Sequence, residues 1–166
     1  HYGIPTFGIG GCSDSKIFDA QAASEAALTL FDNALNGVNL VHDVGYLDCA
    51  TTGSLEFLLY CDELIGWLRR YFRKLEISED TLALDLIHEI GPDGNFVETR
   101  HTLRHVRDDW TPRLMDRNNF LRWQAQGGTM VQQRAKQQVR EILANHRTGN
   151  QLAPAVVQEL RGIASR

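Results

Sequence analysis

The residues best suited to chemistry lie at the end of a short apolar run, Val38-Asn39-Leu40-Val41-His42-Asp43-Val44-Gly45-Tyr46-Leu47-Asp48, bounded upstream by Asn36-Gly37 and broken at Gly45. An imidazole and a carboxylate with a tyrosine close behind can orient a substrate, hold a cation or move a proton. His42 and Asp43 fall where the run stops, which is where a buried parallel strand hands polar groups to the crevice of an α/β fold. Taken alone, the run fits a satisfied core histidine beside a loop-capping aspartate better. Asp14 and Lys16 follow an earlier apolar segment. They reach the same side of the sheet if the two segments are neighbouring strands, about 4.8 Å apart. Phe7, Tyr46 and Phe57 are candidates to line the pocket, because aromatic faces near carboxylates suit a quaternary ammonium ion. Singly, each is more often a core residue.

A second constellation is His101-Thr102-Leu103-Arg104-His105, whose histidines share one helical face. Thr102 stands where a metalloprotease needs its glutamate, so that chemistry is excluded. A structural pair bonded to Asp108 or Asp109 is favoured over a metal site, and no metal is assigned. Gly8-Ile9-Gly10-Gly11-Cys12 lacks both the spacing and the ending of a phosphate-binding loop.

The elements that must position these groups follow from periodicity. Ile4 to Ile9 reads as a strand running into a glycine-rich loop. Phe18, Ala22, Ala26, Leu30 and Ala34 recur at helical spacing, with Asp19 and Glu25 toward the beginning and Asn36-Gly37 as the stop. The next run is the pivotal strand, so the order is βαβ with a parallel pair. Thr51 to Ser54 supplies cap-type residues for a helix over Leu55 to Lys74, with Ser54, Glu56 and Glu63 marking its start and Arg69, Arg70, Arg73 and Lys74 its end. A third helix over Glu79 to Ile90 stops at Gly91-Pro92-Asp93-Gly94. Further helices are expected over about Thr99 to Asp109, Arg117 to Arg147 with a break near Gly127-Gly128, and Pro154 to Ala164, with no further strand.

Composition limits the function classes. The 166 residues are 43% hydrophobic and 23% charged, ordinary for one globular domain. A net charge of -4 makes no electrostatic case for nucleic acid or an anionic membrane. No apolar stretch approaches the roughly 20 residues needed to span a bilayer. Cys12, Cys49 and Cys61 are an odd number without CxxC spacing, which fits a reducing cytoplasm. The opening His1-Tyr2-Gly3 suggests a piece of a longer protein.

Gly10-Gly11-Cys12-Ser13-Asp14-Ser15-Lys16, Asp19-Ala20-Gln21-Ala22-Ala23-Ser24-Glu25, His42-Asp43-Val44-Gly45-Tyr46-Leu47, Gly91-Pro92-Asp93-Gly94, His101-Thr102 and Asp116-Arg117 together resemble the C-terminal part of the trimethylamine methyltransferase family. The resemblance runs through almost the whole chain in order. It implies an α/β fold: the last strands and helices of a (β/α)8 TIM barrel within residues 1–75, and a mostly helical extension over 76–166. It also implies methyl transfer from a methylated amine to the Co(I) corrinoid of a separate partner protein, with no cofactor bound by this chain. The absence of a nonstandard residue points to the pyrrolysine-lacking branch, which handles quaternary amines such as glycine betaine. A quaternary ammonium is already an activated leaving group, so positioning outweighs acid or base catalysis. On this reading Asp43 offers charge to the cation, Tyr46 an aromatic face, and His42 or Asn39 a donor for a substrate carboxylate.

Strand alternation keeps His42 and Asp43 from both facing the barrel while strand geometry persists, and His42 is the chosen one. Asp93 and Cys49-Ala50 depart from glycines or small residues expected by the resemblance. The missing N-terminal strands imply an exposed edge, self-association or a homo-oligomer, and an isolated piece without activity. The competing class is a non-catalytic helical interaction module over residues 99 to 166.

Overall fold

The computed structural model describes residues 3–147, 149 and 152–165. Strand β1 (Phe7–Ile9) pairs in parallel with β2 (Leu40–His42), in the register Phe7 to Leu40, Gly8 to Val41 and Ile9 to His42. Helix α1 (Ala20–Leu35) makes the crossover, so the expected βαβ unit is present and the fold is α/β. Asp19 is the N-cap of α1, its carboxylate accepting from the Ala22 N–H at 3.0 Å.

The strands are less buried than an interior parallel pair. Gly8 and Val41 face α1, and a Cβ at Gly8 would sit 2.0 Å from the Asn33 Oδ1, so only glycine lets α1 approach this closely. Phe7, Ile9 and Leu40 lie on the other face and are exposed, because no layer covers that face among the described residues. The pivotal strand is thus covered on one side only, a correction to its reading as core.

Beyond β2 the chain makes a hairpin that periodicity does not reveal. β3 (Tyr46–Leu47) pairs antiparallel with β4 (Thr52–Gly53), residues otherwise legible only as helix-capping types. Ser54 then caps α2 (Leu55–Tyr71), accepting from Phe57 N–H at 3.2 Å. The core joins α1, α2 and a later helix through Ala22, Ala26, Leu30, Phe57, Cys61, Leu64, Leu114 and Ala135. Phe57 is fully buried, with its ring 5.4 Å from Phe18, so it belongs to the core and not to a pocket wall.

The helix expected over 79–90 is two: α3 (Glu79–Leu82) and α4 (Leu84–Ile90). Ala83 between them is left-handed, φ 48°, which ends the first helix. Gly91 also has a positive φ, 69°, but with an extended ψ, whereas Asp93 has no positive φ. The remaining helices are α5 (Arg100–His105), α6 (Phe120–Ala125), α7 (Val131–Asn145) and α8 (Pro154–Ala164). The break before α7 falls at Gly127 and Gly128, both with positive φ. No helix among the described residues is long and apolar enough to cross a membrane.

Candidate functional site

The carboxyl end of β2 is built by two backbone segments zipped together. Gly10 N–H donates to His42 O at 3.2 Å, Gly45 to Gly11 O at 2.8 Å, Ser13 to Tyr46 O at 3.0 Å and Asp48 to Ser15 O at 2.9 Å. The loop after β1 therefore runs beside residues 42–48 and fixes which groups meet. Gly45 sits against α2, where a Cβ would lie 2.7 Å from that of Leu58, and its φ is 88°.

A polar stripe on α1 holds the loop in place. Asn33 donates to Ile9 O at 2.8 Å, Thr29 Oγ1 accepts from Gly11 N–H at 3.1 Å, and Glu25 Oε2 accepts from Ser13 Oγ and Asp14 N–H. These residues are spaced four apart, so they form one helical row. Glu25 thus works as a loop anchor. Hydrogen bonds from Ser13, Gln21 and Asp14 hold its carboxyl below the ordinary range.

His42 and Asp43 do meet. The strand ends at His42, Asp43 turns left-handed with φ 66°, and its Oδ1 lies 3.0 Å from His42 Nδ1. The alternation that separates them in a strand therefore lapses at Asp43. Phe7, on the neighbouring strand, stacks on the imidazole with centroids 4.4 Å apart and planes 19° apart. The two groups lie at ion-pair distance, and a neutral His42 can carry its N–H on either ring nitrogen. Tyr46 follows on β3, with its side chain partly open to solvent and its N–H donating to Asp43 O at 3.2 Å.

The other expected members lie elsewhere. Asn39 precedes β2 at the opposite end of the strand, where its Oδ1 accepts from Thr6 N–H at 2.8 Å, so it secures β1 to β2 away from His42. Asp14 and Lys16 gather further along the loop. Lys16 Nζ donates to Asp14 O at 2.8 Å and lies 3.7 Å from Asp48 Oδ1. Cys49 joins them, with the hydrogen bond to the Asp14 carboxylate raising its thiol pKa. Asp48, Cys49 and Ala50 are consecutive left-handed residues, with φ of 51°, 53° and 64°. These are positions that favour glycine, which is where Cys49-Ala50 departs from the expected small-residue loop.

Two groups escape sequence reasoning. Cys12 lies close enough to Asp43 that the carboxylate adds to the effect of burial in pushing its thiol up. Glu63, assigned to a helix start, is buried in the middle of α2 and accepts from Arg113 N–H at 3.0 Å and from Leu114 and Met115 N–H at 2.8 Å each. A charged residue at a core-facing position of α2 was the available signal.

The family model for trimethylamine methyltransferase (MTTB) matches residues 1–166. A glycine betaine methyltransferase of Desulfitobacterium hafniense is 39% identical over 147 residues, covering 87% of this chain and 30% of that protein. A trimethylamine methyltransferase MttB from another strain of the same organism is 34% identical over 163 residues, covering 98% of this chain and 33% of that protein. One from Methanosarcina barkeri is 32% identical over 145 residues, covering 87% and 29%. The chain thus spans about a third of the length of these curated relatives. With a family model matched along the whole sequence, this chain belongs to the trimethylamine methyltransferase family.

Proposed function

We propose that this chain is the C-terminal segment of a (β/α)8-barrel methyltransferase that moves a methyl group from a small methylated amine to the Co(I) corrinoid of a separate partner protein. The observation that carries the reading is the set of His42, Asp43 and Phe7 at the carboxyl end of β2, in a chain whose relatives are named for trimethylamine and glycine betaine. In an α/β barrel that end of a strand is where substrate groups gather. The exposed face of Phe7, Ile9 and Leu40 suits burial by the remaining barrel strands, and the unpaired sheet edges suit their pairing.

Asp43 gives the amine cation a carboxylate, and Tyr46 gives it an aromatic face. The work of these groups is to hold the N-methyl carbon in line and exclude water, because a quaternary ammonium departs as a neutral amine and needs no proton to do so. The acceptor's Co(I) supplies the nucleophile, and the corrinoid stays with the partner. A betaine carboxylate is met by an N–H of His42, whereas trimethylamine carries no carboxylate for it to meet.

Calorimetric titration of the full-length protein with glycine betaine, choline, carnitine, proline betaine and trimethylamine, repeated with His42→Ala, tests the reading. Binding of one ligand, weakened in a variant of unchanged melting temperature, supports it. No binding by any of them returns His42 to a structural role.

A further inference from the structure

Helices α3, α4 and α5 contain no buried residue, so apolar packing within the described residues does little to fix them. What joins α3 to α5 is polar. Asp80, in the first turn of α3, faces His101 and His105, one turn apart on α5. His105 Nε2 lies 2.9 Å from Asp80 Oδ2, and His101 Nε2 lies 2.7 Å from the Asp80 carbonyl oxygen and 3.9 Å from Oδ1. One ligating atom from each of the three residues lies within 4.8 Å of the other two.

Two further contacts shape this cluster. His105 Nδ1 lies 2.6 Å from Asp108 Oδ2, so its N–H is bound on that side and Nε2 is aimed at Asp80. A carboxylate on the far nitrogen is the partner that metal-bound histidines carry, since it fixes the tautomer and raises the basicity of the ligating nitrogen. Arg104 lies 2.9 Å from Asp80 Oδ1, so Oδ2, which faces His105 Nε2, is the oxygen without an arginine and the one to take the metal. Asp109, the other acid near the pair, is taken by Arg70.

We propose that Asp80, His101 and His105 bind one divalent first-row cation that staples α3 to α5. Two imidazoles and one carboxylate are a zinc-type donor set, with a remaining position for water. Binding displaces the proton between His105 Nε2 and Asp80 Oδ2 and draws His101 Nε2 away from the Asp80 carbonyl, so protons are released as metal enters. Its proposed role is to hold α3 against α5.

The test uses the full-length protein, stripped by a chelator and titrated with Zn2+ or Co2+. One metal per chain is expected, with a visible Co2+ spectrum. X-ray absorption of the zinc form should show nitrogen and oxygen neighbours near about 2.0–2.1 Å and no sulfur. His101→Gln keeps a donor for the Asp80 carbonyl and is expected to fold, yet to weaken binding by more than about tenfold. Asp108→Asn should cost about 10- to 100-fold through the far nitrogen alone. No stoichiometric metal, sulfur ligation, or affinity unchanged in both variants would overturn the proposal.

Discussion

Glu63 supports a sharp energetic prediction. Its Oε1 accepts from Leu114 and Met115 N–H and its Oε2 from Arg113 N–H, and these amides have no other partner among the described residues. Glu63→Gln turns one oxygen into a donor. The favourable orientation keeps Oε1 on its pair of N–H groups and sets the new NH2 against Arg113 N–H, so one buried bond becomes a donor–donor contact. Since hydrogen bonds to charged acceptors contribute about 1.5–3 kcal/mol, this variant should lose about 2 kcal/mol. Glu63→Ala strands all three N–H groups and should lose about 3–5 kcal/mol, partial relaxation and water entry being allowed for. Denaturant unfolding gives the totals, and amide hydrogen exchange at residues 113–115 gives the local effect. Exchange at those amides unchanged, with both variants within about 0.5 kcal/mol of wild type, would refute the anchoring role of Glu63.

Other consequences can be checked as directly. Ala50→Gly removes a left-handed alanine from the strained turn and should stabilise the protein by about 1 kcal/mol, seen as a raised melting temperature. The Asp80–His105 contact has a defined pH window. Asp108 first and Asp80 second hold the His105 pKa above its ordinary value, so its contribution is full below that ordinary value and is lost as pH rises through the raised one. His105 holds the Asp80 carboxyl below its ordinary value, so that contribution is full above it and lost as pH falls through the lowered one. Protection of α5 amides should therefore peak between the two in metal-free protein. Burial pushes the Cys61 thiol up to about 12, so thiol reagents should label exposed Cys49 before Cys61, which reacts only as the core opens.

The βαβ unit was legible because apolar residues at helical spacing are what α1 buries, and the flanking runs end in glycine. The β3–β4 hairpin was not, since two-residue strands carry no period and Thr51 to Ser54 has cap-type composition. Ala83 gave no sign of its left-handed φ, because nothing in an alanine favours it. The row of Glu25, Thr29 and Asn33 lies beside the apolar stripe and bonds to backbone, which periodicity does not register. In the candidate site, His42, Asp43 and Phe7 come together as a set, while Asn39 goes to Thr6, Lys16 to Asp48 and Asp14 to Glu25 and Lys16. Which loop residues converge depends on the hydrogen-bonded zipper after β1, and no local pattern encodes its register. Asp80 escaped notice for the same reason, since it reaches His101 and His105 only through the packing of separate helices.

The central claim is that the carboxyl end of β2 holds a methylated amine. The most direct measurement is methyl transfer from glycine betaine and from trimethylamine to Co(I) cobalamin by the full-length protein, comparing wild type with Asp43→Asn. The account predicts transfer from at least one amine, a KM raised in the variant and a melting temperature that stays put. Transfer from neither amine, or a variant with unchanged KM, would contradict it.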